Sequence, residues 1–122
     1  MKIKTSELTG AALDWAVAKC EGIGLGPRGF VVYYHEGEPA MWQPSTDWAQ
    51  GGPIIDRMQL NRLTTNVGGG YTASVKVTLI DTDDDAYMVW THGSGPTPLI
   101  AAMRCRVASK LGDYVDVPEE LV

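Results

Sequence analysis

The sequence predicts an α+β domain: a small antiparallel sheet with two main helices packed on it. Three observations carry that prediction. Tyr71 to Ile80 alternates apolar Val75, Val77 and Leu79 with Ser74, Lys76 and Thr78, the period of two of a half-buried strand. Thr97-Pro98 opens a segment in which Leu99, Met103, Val107 and Leu111 form one apolar stripe, thickened by Ile100. Near the start of the chain, Leu13, Ala16, Val17 and Cys20 fall at i, i+3, i+4 and i+7, again one face of a helix.

Taken in order, the first helix runs from about Thr9, a capping residue, to Glu21, and Gly22 ends it. Ile23 to Gly29 is a glycine-rich loop. Phe30 to His35, dense in β-branched and aromatic residues, is a strand. Glu36 to Pro39 turns the chain, and Ala40 to Gln43 returns as a short second strand. Ser45, Thr46 and Asp47 are capping residues, so one helical turn is expected around Trp48 before Gly51-Gly52 stops it. Ile54 to Leu63 reads equally as a short helix or a strand. Asn66 to Gly70 is a turn, Asp81 to Asp85 the next one, and Ala86 to Thr91 the strand returning against Tyr71–Ile80. The last helix has Thr97 as its cap, proline at its first position and Gly112 at its end. Asp113 to Val122 is a short alternating piece with an acidic, proline-limited end.

Composition narrows the classes of function. The 122 residues, read as a single domain over 1–122, are 44% hydrophobic and 20% charged, and no apolar run approaches the ~20 residues of a membrane-spanning helix. The basic start Met1 to Thr5 has no apolar stretch behind it, so no signal peptide is expected. Fifteen Asp and Glu against ten Lys and Arg leave a net charge of −5, with the basic residues scattered. That balance argues against nucleic acid as the main ligand, because tracking a phosphate backbone requires clustered cations. Cys20 and Cys105, in apolar helical contexts without a CxxC or a metal-ligand spacing, read as buried thiols. No metal and no cofactor is expected.

Two regions carry candidate binding chemistry. Trp42 to Pro53 holds two tryptophans, three short polar residues and two glycines, a loop able to stack a flat ligand or, equally, to pin itself to the core. His92-Gly93-Ser94-Gly95-Pro96-Thr97 runs into the last helix, whose N-terminal N–H groups favour an anion; its spacing is neither a P-loop nor a dinucleotide fingerprint, so a plain strand-to-helix connection competes. The acidic turn Asp81-Thr82-Asp83-Asp84-Asp85 imitates the start of a calcium loop but lacks its sixth-position glycine and twelfth-position glutamate, and reads as a solvated hairpin turn. His35 and His92 are the neutral-pH bases, and neither stands in a triad signature. No catalytic residue is assigned.

Three blocks carry a resemblance that spans nearly the whole chain. They are KTSELTGAALDWAVAKCE from Lys4 to Glu21, PSTDWAQGGPII from Pro44 to Ile55, and TPLIAAMR from Thr97 to Arg104 with SKLGD at Ser109–Asp113. Together they resemble the NinX-like proteins of tailed phages and prophages. The stretch from about Arg57 to Val89 contributes least. The resemblance implies an accessory phage protein made in the host bacterial cytoplasm, and it supplies no catalytic residues to carry over. In that context the expected function is non-enzymatic binding of a small nucleotide-like ligand, with sequestration of a host immune signal as its purpose. The residues expected to bind are Trp42, Ser45, Thr46, Asp47, Trp48, Gln50, Gly51 and Gly52, with Gly95, Thr97 and Arg104 for phosphate. A protein-binding inhibitor of a host protein is the first alternative and a nucleotide-processing enzyme the second. No membrane contact is expected, and a homo-oligomer is expected under each reading.

Overall fold

In the computed structural model, residues 1–23, 32–35, 38–80 and 82–122 are described. The long antiparallel ladder between β5 (Tyr71–Ile80) and β6 (Ala86–Gly95) is its central feature, and the shorter β4 (Arg62–Thr65) pairs with the start of β5, giving a three-stranded sheet ordered β4-β5-β6. Helices α1 (Gly10–Glu21), α2 (Trp48–Met58) and α3 (Pro98–Leu111) complete the core. Two antiparallel ribbons lie apart from that sheet, one of β2 (Val32–His35) with β3 (Glu38–Met41) and one of β1 (Lys2–Lys4) with β7 (Tyr114–Asp116). The architecture is the expected α+β class with every ladder antiparallel. The loop expected at residues 24–29, Phe30 and Val31 of the first expected strand, the Glu36-Gly37 turn and Asp81 of the acidic turn lie outside the described residues.

Helix α1 buries Ala12, Leu13, Ala16 and Val17 and ends at Gly22, whose φ of 68° is the left-handed conformation expected of a C-terminal glycine. Thr9 takes the N-cap position, but its side chain makes no capping bond. In α3 the cap is complete: Thr97 Oγ1 accepts the Ile100 N–H at 3.1 Å, and Pro98 opens the first turn. Its stripe buries Leu99, Met103 and Val107, while Leu111 reaches the surface at the helix end.

Three boundaries differ from expectation. Gly51-Gly52 does not stop a single turn at Trp48; α2 continues for 11 residues, through Pro53, to Met58. Asp47 Oδ1 starts it by accepting the Ala49 N–H at 2.9 Å, and burial of Gly51, Ile54 and Met58 on one face outweighs the ~1 kcal/mol helix cost of each glycine. The ambiguous stretch from Ile54 to Leu63 therefore divides, helix to Met58 and strand from Arg62, with Gln59 in the left-handed region at φ 53° as the break. Strand β3 begins at Glu38 rather than Ala40 and takes in Pro39. Strand β6 continues to Gly95 instead of ending at Thr91, so most of the expected glycine loop is strand, each residue from His92 to Gly95 opposite one of β5.

Close packing explains that last difference. A Cβ at Gly93 would collide with the backbone of α3 at Ala101 and Cys105, and one at Gly95 would stand 2.7 Å from Ile100 Cγ2 and 3.1 Å from the Ala101 N. The helix rests on these two glycines, with the fully buried Ala101, Ala102 and Cys105 of α3 and Ala73 of β5 keeping the layers close. Gly93→Ala is therefore expected to destabilise the fold by about 3 kcal/mol or more, because backbone cannot yield as a side chain can. Gly52→Ala, with open space at its Cβ, is expected to be neutral or to stabilise α2 by up to ~1 kcal/mol. Urea unfolding of the two variants checks the contrast.

Candidate functional site

The residues from Trp42 to Gly52 are largely engaged by the fold. Trp42 is buried, and its indole N–H donates to the Asp14 carbonyl of α1 at 2.9 Å. Ser45, also buried, donates its backbone N–H to the Asp14 carboxylate at 2.9 Å. Gln50 braces the segment, accepting the Gln43 N–H and donating to the Met41 carbonyl. Asp47 caps α2, and Gly51 packs between the Pro44 carbonyl and Leu99 at the start of α3. This is where the loop and the last helix meet, and the meeting is a close packing contact. Thr46 and Trp48 face solvent, Trp48 at 56% exposure, and Gly52 is half-buried. Burial raises the Asp14 carboxyl above its usual 3.8, with the hydrogen bond from the Ser45 amide opposing that rise, while the buried Ser45 hydroxyl has no hydrogen-bond partner among the described residues.

Further along α3 stands Arg104, only 8% exposed. Its Nε donates to the Leu8 carbonyl at 2.9 Å and its Nη1 to the Ser94 carbonyl at 2.8 Å, so it joins the entry of α1 to β6 from the floor of α3. Among the described residues no carboxylate pairs with it within 4.0 Å. Desolvation lowers its pKa, and two carbonyl dipoles hold the charge in place without neutralising it. Beside it opens a cleft of about 280 Å³ whose polar lining comes from Lys4, Thr5, Ser6, His92, Arg104, Asp113 and Tyr114. Thr5 fixes one wall by donating to the Gly112 carbonyl at 2.6 Å and, through its N–H, to the Asp113 carbonyl at 2.8 Å.

His92 lines a second cleft of about 360 Å³ with Arg62, Ser74 and Trp90, on the sheet face opposite α3. Its Nδ1 shares a hydrogen bond of 2.7 Å with the buried Ser74 hydroxyl. The Trp90 and His92 rings, two residues apart on β6, lie within 3° of parallel with centroids 6.3 Å apart. Lys76 Nζ and the Arg62 guanidinium approach the Trp90 ring at 5.0 and 5.8 Å. Two separate clefts thus hold cations, one of them with exposed ring faces, and His92 lines both.

Of the residues expected at a site, the structure places Arg104 in the first of these clefts, with Lys4 and His92. Gly95 underlies α3, and Thr97 spends its hydroxyl on the helix cap. Sequence reasoning missed Lys4, Arg62, Lys76 and Trp90 as partners, though the alternation of β5 already placed Ser74 and Lys76 on one face. Among the described residues no cluster of three or more His, Cys, Asp or Glu side chains could hold an ion. Cys105 is buried and Cys20 half-buried, and burial pushes both thiols up to about 11. No described helix is long and apolar enough to cross a membrane.

Fold and surface together define a small α+β domain whose sheet carries a cationic, aromatic face beside a buried arginine. The chain matches the family described as bacteriophage P22 NinX over residues 4–110, and it belongs to that family. No curated protein matches it.

Asp14 gives this geometry a pH signature. Its raised pKa means that the folded protein binds the proton more readily than the unfolded chain, so its contribution to stability falls as pH rises from 3.8 through the folded value. Asp14→Asn keeps an acceptor for the Ser45 N–H and removes that slope. Urea midpoints from about pH 4 to about pH 8 should show the variant gaining on the parent through this window and then levelling.

Proposed function

We propose that this phage protein binds a small, nucleotide-like ligand, a flat ring joined to an anionic group, across the two clefts that meet at His92. The carrying observation is the buried guanidinium of Arg104, without an ion-pair partner among the described residues, lining the same cleft as Lys4, with His92 shared between that cleft and the one that holds Trp90. A phosphate or comparable anion suits Arg104 and Lys4, because a fixed guanidinium and a mobile ammonium together replace lost hydration. A base suits Trp90, a residue 41% exposed whose ring already attracts two cations. His92 Nε2, unused among the described residues, is placed to read a polar edge. This reading shifts the ligand from Trp42–Gly52, whose polar atoms serve the fold, to the sheet face, and it keeps Arg104.

Capture without turnover would let a phage accessory protein withdraw a nucleotide signal from a host immune response. The competing reading is an interaction module that inhibits a host protein, favoured by the apolar side chains exposed along the β5–β6 hairpin.

A thermal-shift panel of mono-, di- and cyclic nucleotides tests the proposal. A ligand at 100 times its dissociation constant adds about 2.7 kcal/mol and should raise Tm by roughly 10 °C. Lys4→Ala and Trp90→Ala should each weaken binding about tenfold, a loss of ~1.4 kcal/mol, whereas Trp48→Ala should leave it unchanged. The absence of any shift at millimolar nucleotide would sink the reading, and conversion of the nucleotide would replace it with an enzymatic one.

A further inference from the structure

The two edges of the three-stranded sheet are built differently. On one side β4 is four residues long, and beyond it the Asn61 side chain takes over: its Oδ1 accepts the Lys76 N–H at 2.9 Å, while its own backbone N–H bonds the Ser74 carbonyl at 3.0 Å. A short strand, a side-chain cap and an exposed lysine are devices that keep an edge from pairing. On the other side β6 runs for ten residues, AYMVWTHGSG, with no proline, no Lys, Arg, Asp or Glu, and an unbroken register against β5. Among the described residues no strand lies beside it.

The ladder fixes which groups that edge presents. Ser74 and Lys76 direct their backbone groups to the β4 side, so the odd-numbered residues of β5 bond their odd-numbered partners in β6. The even-numbered residues of β6 therefore turn N–H and C=O outward. Arg104 takes the Ser94 carbonyl, which leaves Ala86, Met88, Trp90 and His92, a run centred on Val89. Side chains of the strand itself are open on both faces: Tyr87, Met88, Val89 and Trp90 are 38 to 60% exposed.

We propose that two copies of this chain pair antiparallel along β6, about a two-fold axis at Val89, joining their sheets into one six-stranded sheet. Charge selects this occupant and this direction. The strand itself carries no formal charge to repel its copy, and antiparallel pairing sends the two acidic turns, each with Asp83, Asp84 and Asp85, to opposite ends. In this register Met88 lies opposite Trp90 of the second copy on the face of the ring pair, a sulfur–aromatic contact, and Ala86 lies opposite His92. Val89 meets Val89 on the other face as a non-hydrogen-bonded pair, with Cα atoms ~4.5 Å apart. The second copy thus adds a side chain beside the Trp90 cleft, though pairing itself requires no ligand.

Light scattering on the full chain, without nucleotide, should return twice the 13.2 kDa chain mass at micromolar concentration. Val89→Lys sets like charges against each other at the axis and should raise the dimer dissociation constant at least tenfold. Ile80→Lys adds the same charge to the hairpin but off β6, and should leave the dimer intact. Under mild oxidation Val89→Cys should form a disulfide-linked dimer, since ~4.5 Å between Cα atoms suits a disulfide, whereas Tyr87→Cys should not. A monomeric parent, a dimer that survives Val89→Lys, equal dissociation by Ile80→Lys, or assembly only with a different protein would each overturn the proposal.

Discussion

The backbone of α3 lies directly on Gly93 and Gly95, and most of what distinguishes this domain follows from that contact. No side chain larger than hydrogen fits there, so the separation of helix and sheet is set by backbone on backbone, with Ala73, Ala101 and Cys105 closing the layer. The close approach has a second consequence one residue along the helix. Arg104 is carried down beside β6, where a side chain of its length would ordinarily reach solvent, and its guanidinium meets the Leu8 and Ser94 carbonyls.

Burying a cation against carbonyls alone is costly. Its desolvation amounts to several kcal/mol, and neutral dipoles recover only part of what a carboxylate would. The fold gains register for that cost, since one side chain fixes the entry of α1 against β6. The remaining charge is directed into the cleft shared with Lys4. In a chain of net charge −5, an unpaired buried arginine is a local reversal of sign, and a low-dielectric surround makes it felt at short range. A buried carboxylate without a cation partner among the described residues stands on Asp14, where the Ser45 amide opposes the desolvation. One buried charge stitches a loop to α1; the other stitches α1 to the sheet and also opens to solvent.

The elements with strong periodicity were legible in the sequence. The expected β5 coincides with the strand, and α1 and α3 start or end where their threonine and glycine signals put them. Illegible elements were those in which tertiary contact overrides local preference. Gly51-Gly52-Pro53 reads as a helix stop, yet Gly51 is needed inside a helix to approach Pro44 and Leu99. Gly93 and Gly95 read as loop, yet they are strand because α3 tolerates nothing larger beneath it. β1 is a three-residue strand whose only signal is its partner β7, more than a hundred positions away. The site divides in the same manner. Arg104 was visible as a cation on a helix, but its meeting with Lys4 and His92 in one cleft depends on a register that no local pattern encodes.

The composition of β6 is best understood as three demands met by one strand. Its far end must be bare for α3, which explains Gly93 and Gly95. Its outer face carries the rings, with Trp90 and His92 set in parallel by the two-residue repeat of an extended chain. Its outward edge carries no formal charge along ten residues, which is hard to reconcile with solvent exposure alone, given how the β4 side is guarded by Asn61 and Lys76. A strand needed only to support α3 would tolerate lysine at position 86, 88 or 90, and one needed only for a ligand would tolerate it at 87 or 89. The absence of charge at every one of those positions fits a strand whose backbone is also meant to be paired.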